Sequence, residues 1–279
     1  MISIFIRLAL CQPYFKSSDR RQNMDIRMDA VLGAAYRSPQ QQARVITEAW
    51  AAENMYCVMC GAPRLEHLQN NKPVADLYCP HCRNTFELKS HNGRFGSVIA
   101  DGAYETMMGR LMDDNNPHLF VMEYKRPEYI VENLWVIPSY FFTSEIIIKR
   151  KPLPPTARRA GWTGCNIAWK NIPAQGKIPV INQRKILDPK AVCEKASATT
   201  ALATSKIQAR GWLMDVLYCL EQIGRDYFTL QDVYSFTDYL QDRHRENHNV
   251  QPKIRQQLQY LRDKGFVEFL GRGEYRLKQ

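Results

Sequence analysis

The chain has 279 residues, 45% hydrophobic and 24% charged, with 38 Lys and Arg against 28 Asp and Glu for a net charge of +10. That length accommodates two domains with a core each, and the composition excludes a disordered or fibrous protein. The positive excess points to a polyanionic partner, nucleic acid first, although many basic proteins bind nothing acidic.

Residues 1–10 are apolar but interrupted by Arg7, lack a small-residue cleavage site, and are too short to span a bilayer. Residues 16–27 are polar and basic, so 1–27 reads as a disordered extension or a mis-assigned start, with the chain beginning near Met28. From Ser38 a helix is expected. Pro39 suits its first turn, Ala43, Ile46, Ala49 and Trp50 recur at helical spacing, and Glu48 lies on it.

Cys57-Val-Met-Cys60 and Cys79-Pro-His-Cys82 are two pairs separated by 18 residues, a spacing that suits a four-cysteine zinc site. Such a site is closed and therefore structural. His81 falls inside the second pair and is read as a bystander. Cys11, Cys165, Cys193 and Cys219 are scattered and form no disulfide framework, which fits a reducing cytoplasm.

Threaded through the second pair is Asp76, followed by Glu87-Leu-Lys89. Residues 74–79 and 85–88 read as antiparallel strands with 80–84 as their turn. Residues two apart on a strand share a face, so Glu87 and Lys89 project together with Asp76 beside them. Two carboxylates to hold Mg²⁺ and an amine to orient water or stabilise charge make a metal-dependent nuclease constellation. The bare pattern also fits a surface hairpin with ordinary ion pairs.

Residues 97–112 carry Val98, Tyr104, Met107, Met108 and Leu111 as an expected buried stripe, and 119–124 and 134–137 read as strands of a central sheet. Residues 152–162 are a proline-rich basic loop ending in Gly161 and Trp162, with Arg158 and Arg159. It is either a solvated connection or a DNA contact in which the aromatic packs against bases. The Ala, Thr, Ser and Lys-rich stretch 191–205 is taken as a linker.

The remaining residues, 206–279, read as three helices and a hairpin, a winged helix. Helix 207–223 turns Leu213, Val216, Leu217 and Leu220 inward, and Thr229 with Asp232 forms a capping box for the second helix, whose Leu230, Val233, Tyr234 and Leu240 face the core. The third, from Pro252, buries Ile254, Leu258 and Leu261 and turns Lys253, Arg255, Gln256, Gln257, Gln259, Tyr260 and Arg262 outward. Gln pairs bidentately with adenine and Arg with guanine in the major groove. Arg272, between Gly271 and Gly273 in the hairpin turn, is placed for a phosphate. A solvated face or a protein-binding winged helix is the bland alternative.

Several runs resemble the DpnI-type methyl-directed (type IIM) restriction endonucleases. They are Val-Ala-Asp76-Leu-Tyr-Cys79, Phe-Glu87-Leu-Lys89, Asp101-Gly-Ala-Tyr104, the stretch from Lys151 through Arg158-Arg159 and Trp162 to Asn166, Lys253-Ile-Arg-Gln-Gln-Leu258, and Leu261-Arg-Asp-Lys-Gly265 with Gly271-Arg-Gly273. The similarity runs from about Ser38 to the C-terminus. It implies an α/β PD-(D/E)xK core with an inserted zinc site (28–190), then a helix-dominated winged helix. Asp76, Glu87 and Lys89 match the catalytic triplet, with Mg²⁺ on the carboxylates, and Cys57, Cys60, Cys79 and Cys82 match the zinc ligands. The implied activity is that of a type II site-specific deoxyribonuclease, a monomer cutting double-stranded DNA at GATC when its adenine carries an N6-methyl group. Ala75 stands where the family motif has proline, although Pro73 is close, and residues 1–27 have no counterpart. The competing reading is a zinc-ribbon and winged-helix transcription factor, which has no use for the triplet.

Overall fold

The computed structural model describes residues 24–68, 75–203 and 207–278. Residues 1–23 of the expected extension, Pro73 and Val74 ahead of Ala75, and 204–206 at the expected domain boundary lie outside them. In chain order the elements are α1 (Pro39–Asn54), β1 (Glu66–His67), β2 (Leu77–Tyr78), β3 (Thr85–Asn92), β4 (Ile99–Ala103), α2 (Tyr104–Met112), β5 (His118–Lys125) and β6 (Ile130–Ile137). Then come β7 (Ile147–Lys149), β8 (Gly164–Ile167), β9 (Ile178–Asn182), β10 (Lys185–Ile186) and α3 (Pro189–Thr199). The C-terminal stretch holds α4 (Ile207–Gln222), β11 (Tyr227–Thr229), α5 (Leu230–Tyr234), α6 (Thr237–Arg243), α7 (Val250–Asp263), β12 (Val267–Gly271) and β13 (Glu274–Leu277).

These elements form two compact units that interleave in sequence. One takes the chain up to Gly96, Pro117–Ser139 and Gly176–Thr200; the other takes Ser97–Asn116, Tyr140–Gln175 and Ala201–Gln279.

The first unit is built on a seven-stranded sheet in the order β1-β2-β3-β5-β6-β9-β10. β3 and β5 run parallel and their outer neighbours antiparallel. β5 is central and buried on both faces, which is why its Leu-Phe-Val-Met run shows no polar alternation. Phe86 of β3 is fully buried and stacks on Phe120 at 5.0 Å, a burial contributing about 2–3 kcal/mol. α1 adds Ile46, Trp50 and Ala51 to this core, and α3 adds Val192, Cys193 and Ala196. The stretch 191–205, read as a linker, thus begins inside a packed helix. Residues 24–28 are strung along the start of β6 as well. Val131 N–H donates to Ile26 O at 2.8 Å, Met28 N–H to Tyr129 O at 2.8 Å, and the Trp50 indole N–H to Asp25 O at 2.6 Å.

The second unit combines the small antiparallel sheet β4-β8-β7 and α2 with the C-terminal helices. Residues 97–112 do not form one buried stripe. β4 pairs with β8 and α2 starts only at Tyr104, leaving Val98 exposed while Met107 and Leu111 are buried. The winged helix has the wing order β11-β13-β12, with short β11 closing the sheet. The capping box forms as expected, Thr229 Oγ1 accepting from Asp232 N–H and Asp232 accepting from Thr229 N–H. The second helix is split into α5 and α6, and the Thr237 hydroxyl bonds the Tyr234 carbonyl at the break. Gly265, at φ +81°, ends α7 in a conformation glycine adopts without strain.

Candidate functional site

β2 and β3 pair antiparallel with Leu77 opposite Phe86. Asp76, just ahead of β2, donates its N–H to Phe86 O at 2.9 Å, and its Oδ2 accepts from Leu88 N–H at 2.7 Å. Asp76 is thus tied to the β3 backbone on both sides of Glu87, by its own N–H at Phe86 and by its carboxylate at Leu88. Phe86 and Leu88 face the core, so strand alternation sends Glu87 and Lys89 to the other face. Lys89 Nζ meets Glu87 Oε1 at 2.5 Å, with the two side chains about one-fifth exposed. The structure therefore brings the expected triplet onto one strand pair.

Glu48 joins it from α1. The Thr47 hydroxyl lies 3.2 Å from that of Ser90 on β3, which fastens this turn of the helix beside that strand. Arg44 bonds Glu48 at 2.6 Å. Burial still holds the Glu48 carboxyl above its ordinary range, and the negative charge of Asp76 adds to the effect. Asp76 is thus felt electrostatically at Glu48, while Glu87 engages Lys89; carboxylate oxygens are the donors that a hard divalent cation prefers.

The four cysteine sulfurs lie within 4.8 Å of one another. Cys57 and Cys82 are 3.6 Å apart and Cys60 and Cys79 3.7 Å. A tetrahedral zinc with Zn–S bonds of about 2.3 Å requires sulfur separations of about 3.8 Å, so the donors fit. Each pair sits in the same backbone turn. Gly61 N–H donates to Cys57 O at 2.7 Å, and Arg83 N–H to Cys79 O at 2.9 Å. Gly61 and Arg83 both have positive φ, +76° and +62°. Hydrogen bonds to its neighbours push the Cys57 thiol up, and that thiol in turn pulls Cys79 down to about 6 and Cys82 lower still, so the proton is held unequally among four sulfurs that zinc would take as thiolates. His81 is exposed and stands outside the sulfur cluster.

In the second unit the basic loop is a clamped hairpin. Leu153 N–H donates to Trp162 O at 2.9 Å, Gly161 N–H to Leu153 O at 3.0 Å, and Arg150 N–H to Gly164 O at 2.9 Å. Arg158 and Arg159 are exposed, and the Arg159 guanidinium sits 4.6 Å over the Trp162 ring. Trp162 is neither a free tip nor a core residue. It is half-buried, with its ring against Gly164 so closely that a Cβ there would come within 2.8 Å of it.

On α7, Arg255 and Gln256 are exposed and Lys253 half-buried, Lys253 Nζ bonding Gln256 Oε1 at 2.7 Å. Gln257 departs from the expected outward set, being only 6% exposed. It follows Ile254 by three and precedes Leu261 by four, which puts it on the apolar stripe whatever its polarity. Arg272 is exposed in the wing turn at φ +49°, between Gly271 and Gly273 at φ +120° and +82°. Tyr234, read as a core residue, is half-buried, and its hydroxyl accepts from Arg255 Nη1 at 2.5 Å. Its place beside buried Val233 marks the ring, but sequence carries no signal for where the hydroxyl points.

Residues 24–205 match the Dam-replacing family, of DpnI type, and residues 208–277 match the Dam-replacing HTH domain. The second match supports DNA binding by the winged helix, and the first favours a restriction nuclease over a transcription factor. No helix among the described residues is long and apolar enough to cross a membrane. The mixed α/β sheet, the four-cysteine cluster and the helix-turn-helix domain fall into place together: the chain belongs to the DpnI-type, Dam-replacing family of methyl-dependent restriction endonucleases acting on DNA.

Proposed function

We propose that the protein hydrolyses both strands of GATC duplexes carrying N6-methyladenine, in a Mg²⁺-dependent reaction, as a cytoplasmic monomer with a structural zinc. The observation that carries this reading is the gathering of Asp76, Glu87 and Lys89, with Glu48, on one strand pair and its adjoining helix. Asp76 and Glu87 are the residues that would hold Mg²⁺, which when bound supplies Lewis acidity at the scissile phosphate and lowers the pKa of an attacking water. The Glu87 carboxylate now engages Lys89 at 2.5 Å. That ammonium would orient the attacking water or stabilise charge that develops on the phosphoryl oxygens. Glu48, raised by burial, gains from any positive charge brought beside Asp76.

Reading of the site falls to the second unit. Lys253, Arg255, Gln256 and Arg272 supply base and phosphate contacts, and Arg158 and Arg159 anchor the backbone near Trp162. One methyl group is worth only about 0.8 kcal/mol of transfer, so a requirement for methylation needs both methyls of the palindrome and an aromatic wall that fits them. Trp162, half-buried with its Cζ3–Cη2 edge against Gly164, is that wall. The test is digestion of one plasmid prepared with and without adenine methylation, in Mg²⁺ and in chelator. Fragments at GATC are expected only from methylated plasmid with Mg²⁺; cutting of both plasmids, or cutting in chelator, sinks the reading.

A further inference from the structure

We propose that Tyr234 is a positioning residue for base readout, fixing the Arg255 guanidinium so that it reads one guanine edge. This rests on the reading above, in which α7 enters the major groove. Arg255 is the sixth residue of α7, in the N-terminal half where helix-turn-helix proteins carry base contacts. The other polar contacts of its face are local, as between Lys253 and Gln256. Arg255 is instead braced from another helix, its Nη1 donating to the Tyr234 hydroxyl at 2.5 Å.

The backbone that carries Tyr234 is held at several points. Tyr234 closes α5, a helix one turn long held at its start by the Thr229–Asp232 capping box. The Thr237 hydroxyl grips the Tyr234 carbonyl at 2.6 Å, and Leu230 N–H donates to Gly273 O of the wing at 2.8 Å. Tyr275 of β13 stacks on buried Phe228 at 5.4 Å, and its phenol, raised first by burial, also feels Tyr234, Arg262 and Arg255. Three elements therefore converge around one guanidinium. With Nη1 taken by the hydroxyl, a fork onto guanine O6 and N7 uses the Nε and Nη2 edge. Holding that edge in place before DNA arrives removes rotamer entropy that a bare arginine loses on binding.

The experiment uses the full chain with Mg²⁺ omitted, and fluorescence anisotropy on a methylated GATC duplex and its twin with 7-deazaguanine, which lacks the N7 acceptor. Wild type should bind the twin about tenfold more weakly, and Arg255→Ala should bind the two alike. Tyr234→Phe, which removes one oxygen, should weaken binding to the guanine duplex about fivefold and shrink the 7-deazaguanine penalty. In an Arg255→Ala background it should change nothing further. A merely structural hydroxyl would leave the 7-deazaguanine penalty intact. An unaltered penalty in Tyr234→Phe, a full penalty in Arg255→Ala, or additivity of the two substitutions would each overturn the proposal. Absence of binding by wild type to either duplex would instead remove the DNA-reading function on which it stands.

Discussion

Lys89 and Glu87 neutralise one another at 2.5 Å, so removing either changes charge at the site without leaving a buried orphan, both side chains being about one-fifth exposed. Lys89→Ala should fold and bind methylated duplex as wild type while cleaving about a thousandfold more slowly, the scale of losing one transition-state contact. Asp76→Asn is the matching change at the carboxylate, since an amide oxygen can still accept from Leu88 N–H. Single-turnover cleavage with saturating DNA reads both variants, and wild-type rates would remove the triplet from catalysis. A second residue gives a pH signature. His118 is buried, its Nδ1 accepts from Ser139 N–H at 2.9 Å, and burial pushes its pKa down to about 4. The unfolded chain, near 6.5, takes the proton first. Stability from this group is therefore whole above about pH 6.5 and falls by roughly 3 kcal/mol as pH drops to about 4. Urea melts across that window should show a steeper acid loss for wild type than for His118→Asn; parallel curves would contradict it. The shared face of Glu87 and Lys89 was legible in sequence because a two-residue period on a strand fixes side-chain direction. Gln257 faces inward although its polarity points outward, because its place on the helical stripe decides burial there.

At the level of elements, the hairpin from β7 to β8 shows how a small residue sets a large one. Trp162 lies on Gly164 because nothing projects from that Cα, and a Cβ would meet the ring at 2.8 and 3.0 Å. Gly164→Ala should tilt the indole away at a cost of about 1–3 kcal/mol in the hairpin. If Trp162 forms the methyl wall, Gly164→Ala and Trp162→Ala should both lower the ratio of cleavage rates on methylated and unmethylated GATC at fixed salt. An unchanged ratio in both folded variants would move methyl recognition elsewhere, α7 first. Long elements were legible: α1, α4 and α7 lie where helical spacing puts them, and β5 where an unbroken apolar run stands between Pro117 and Pro127. Several short strands outside the β2–β3 pair and the wing hairpin were not. β4, β7 and β11 have no room for an alternation, and tertiary pairing alone makes them strands. The break between α5 and α6 escaped notice for a similar reason, since one local hydroxyl bond from Thr237 offers the backbone an alternative to helix.

At the scale of the molecule, contiguous sequence is a poor guide to contiguous structure. Residues 97–116 and 140–175 lie within the nuclease portion of the chain yet pack with the C-terminal helices. α4 explains why. Ten of its sixteen residues are buried, among them charged Arg210 and Asp215, so no face is left for solvent. Asp215 is matched within the winged helix by Arg243 and His244, each at 2.9 Å. Arg210 is matched by Asp114 at 2.5 Å, and Gly211 lies so close to the Glu145 carboxylate that a Cβ would meet it at 2.8 Å. Glu221 accepts from Ala174 N–H at 2.9 and 2.8 Å. All three partners come from the inserted segments. A fragment of residues 207–278 keeps its own core of Val216, Leu217, Leu220, Leu240, Ile254, Leu258, Leu261 and Val267 and should fold. It should nevertheless melt at least about 5 °C below the corresponding transition of the full chain, since losing these contacts costs on the order of 1 kcal/mol or more. The uncovered face of α4 should also make it associate with rising concentration. Its DNA affinity should still fall steeply with salt, because Lys253, Arg255 and Arg272 travel with it. Thermal melts with sedimentation velocity on fragment and full chain decide the matter. A monomeric fragment as stable as the full chain would mean that the insertion merely rests against α4, whereas a weaker, self-associating one would mean that it completes the winged helix.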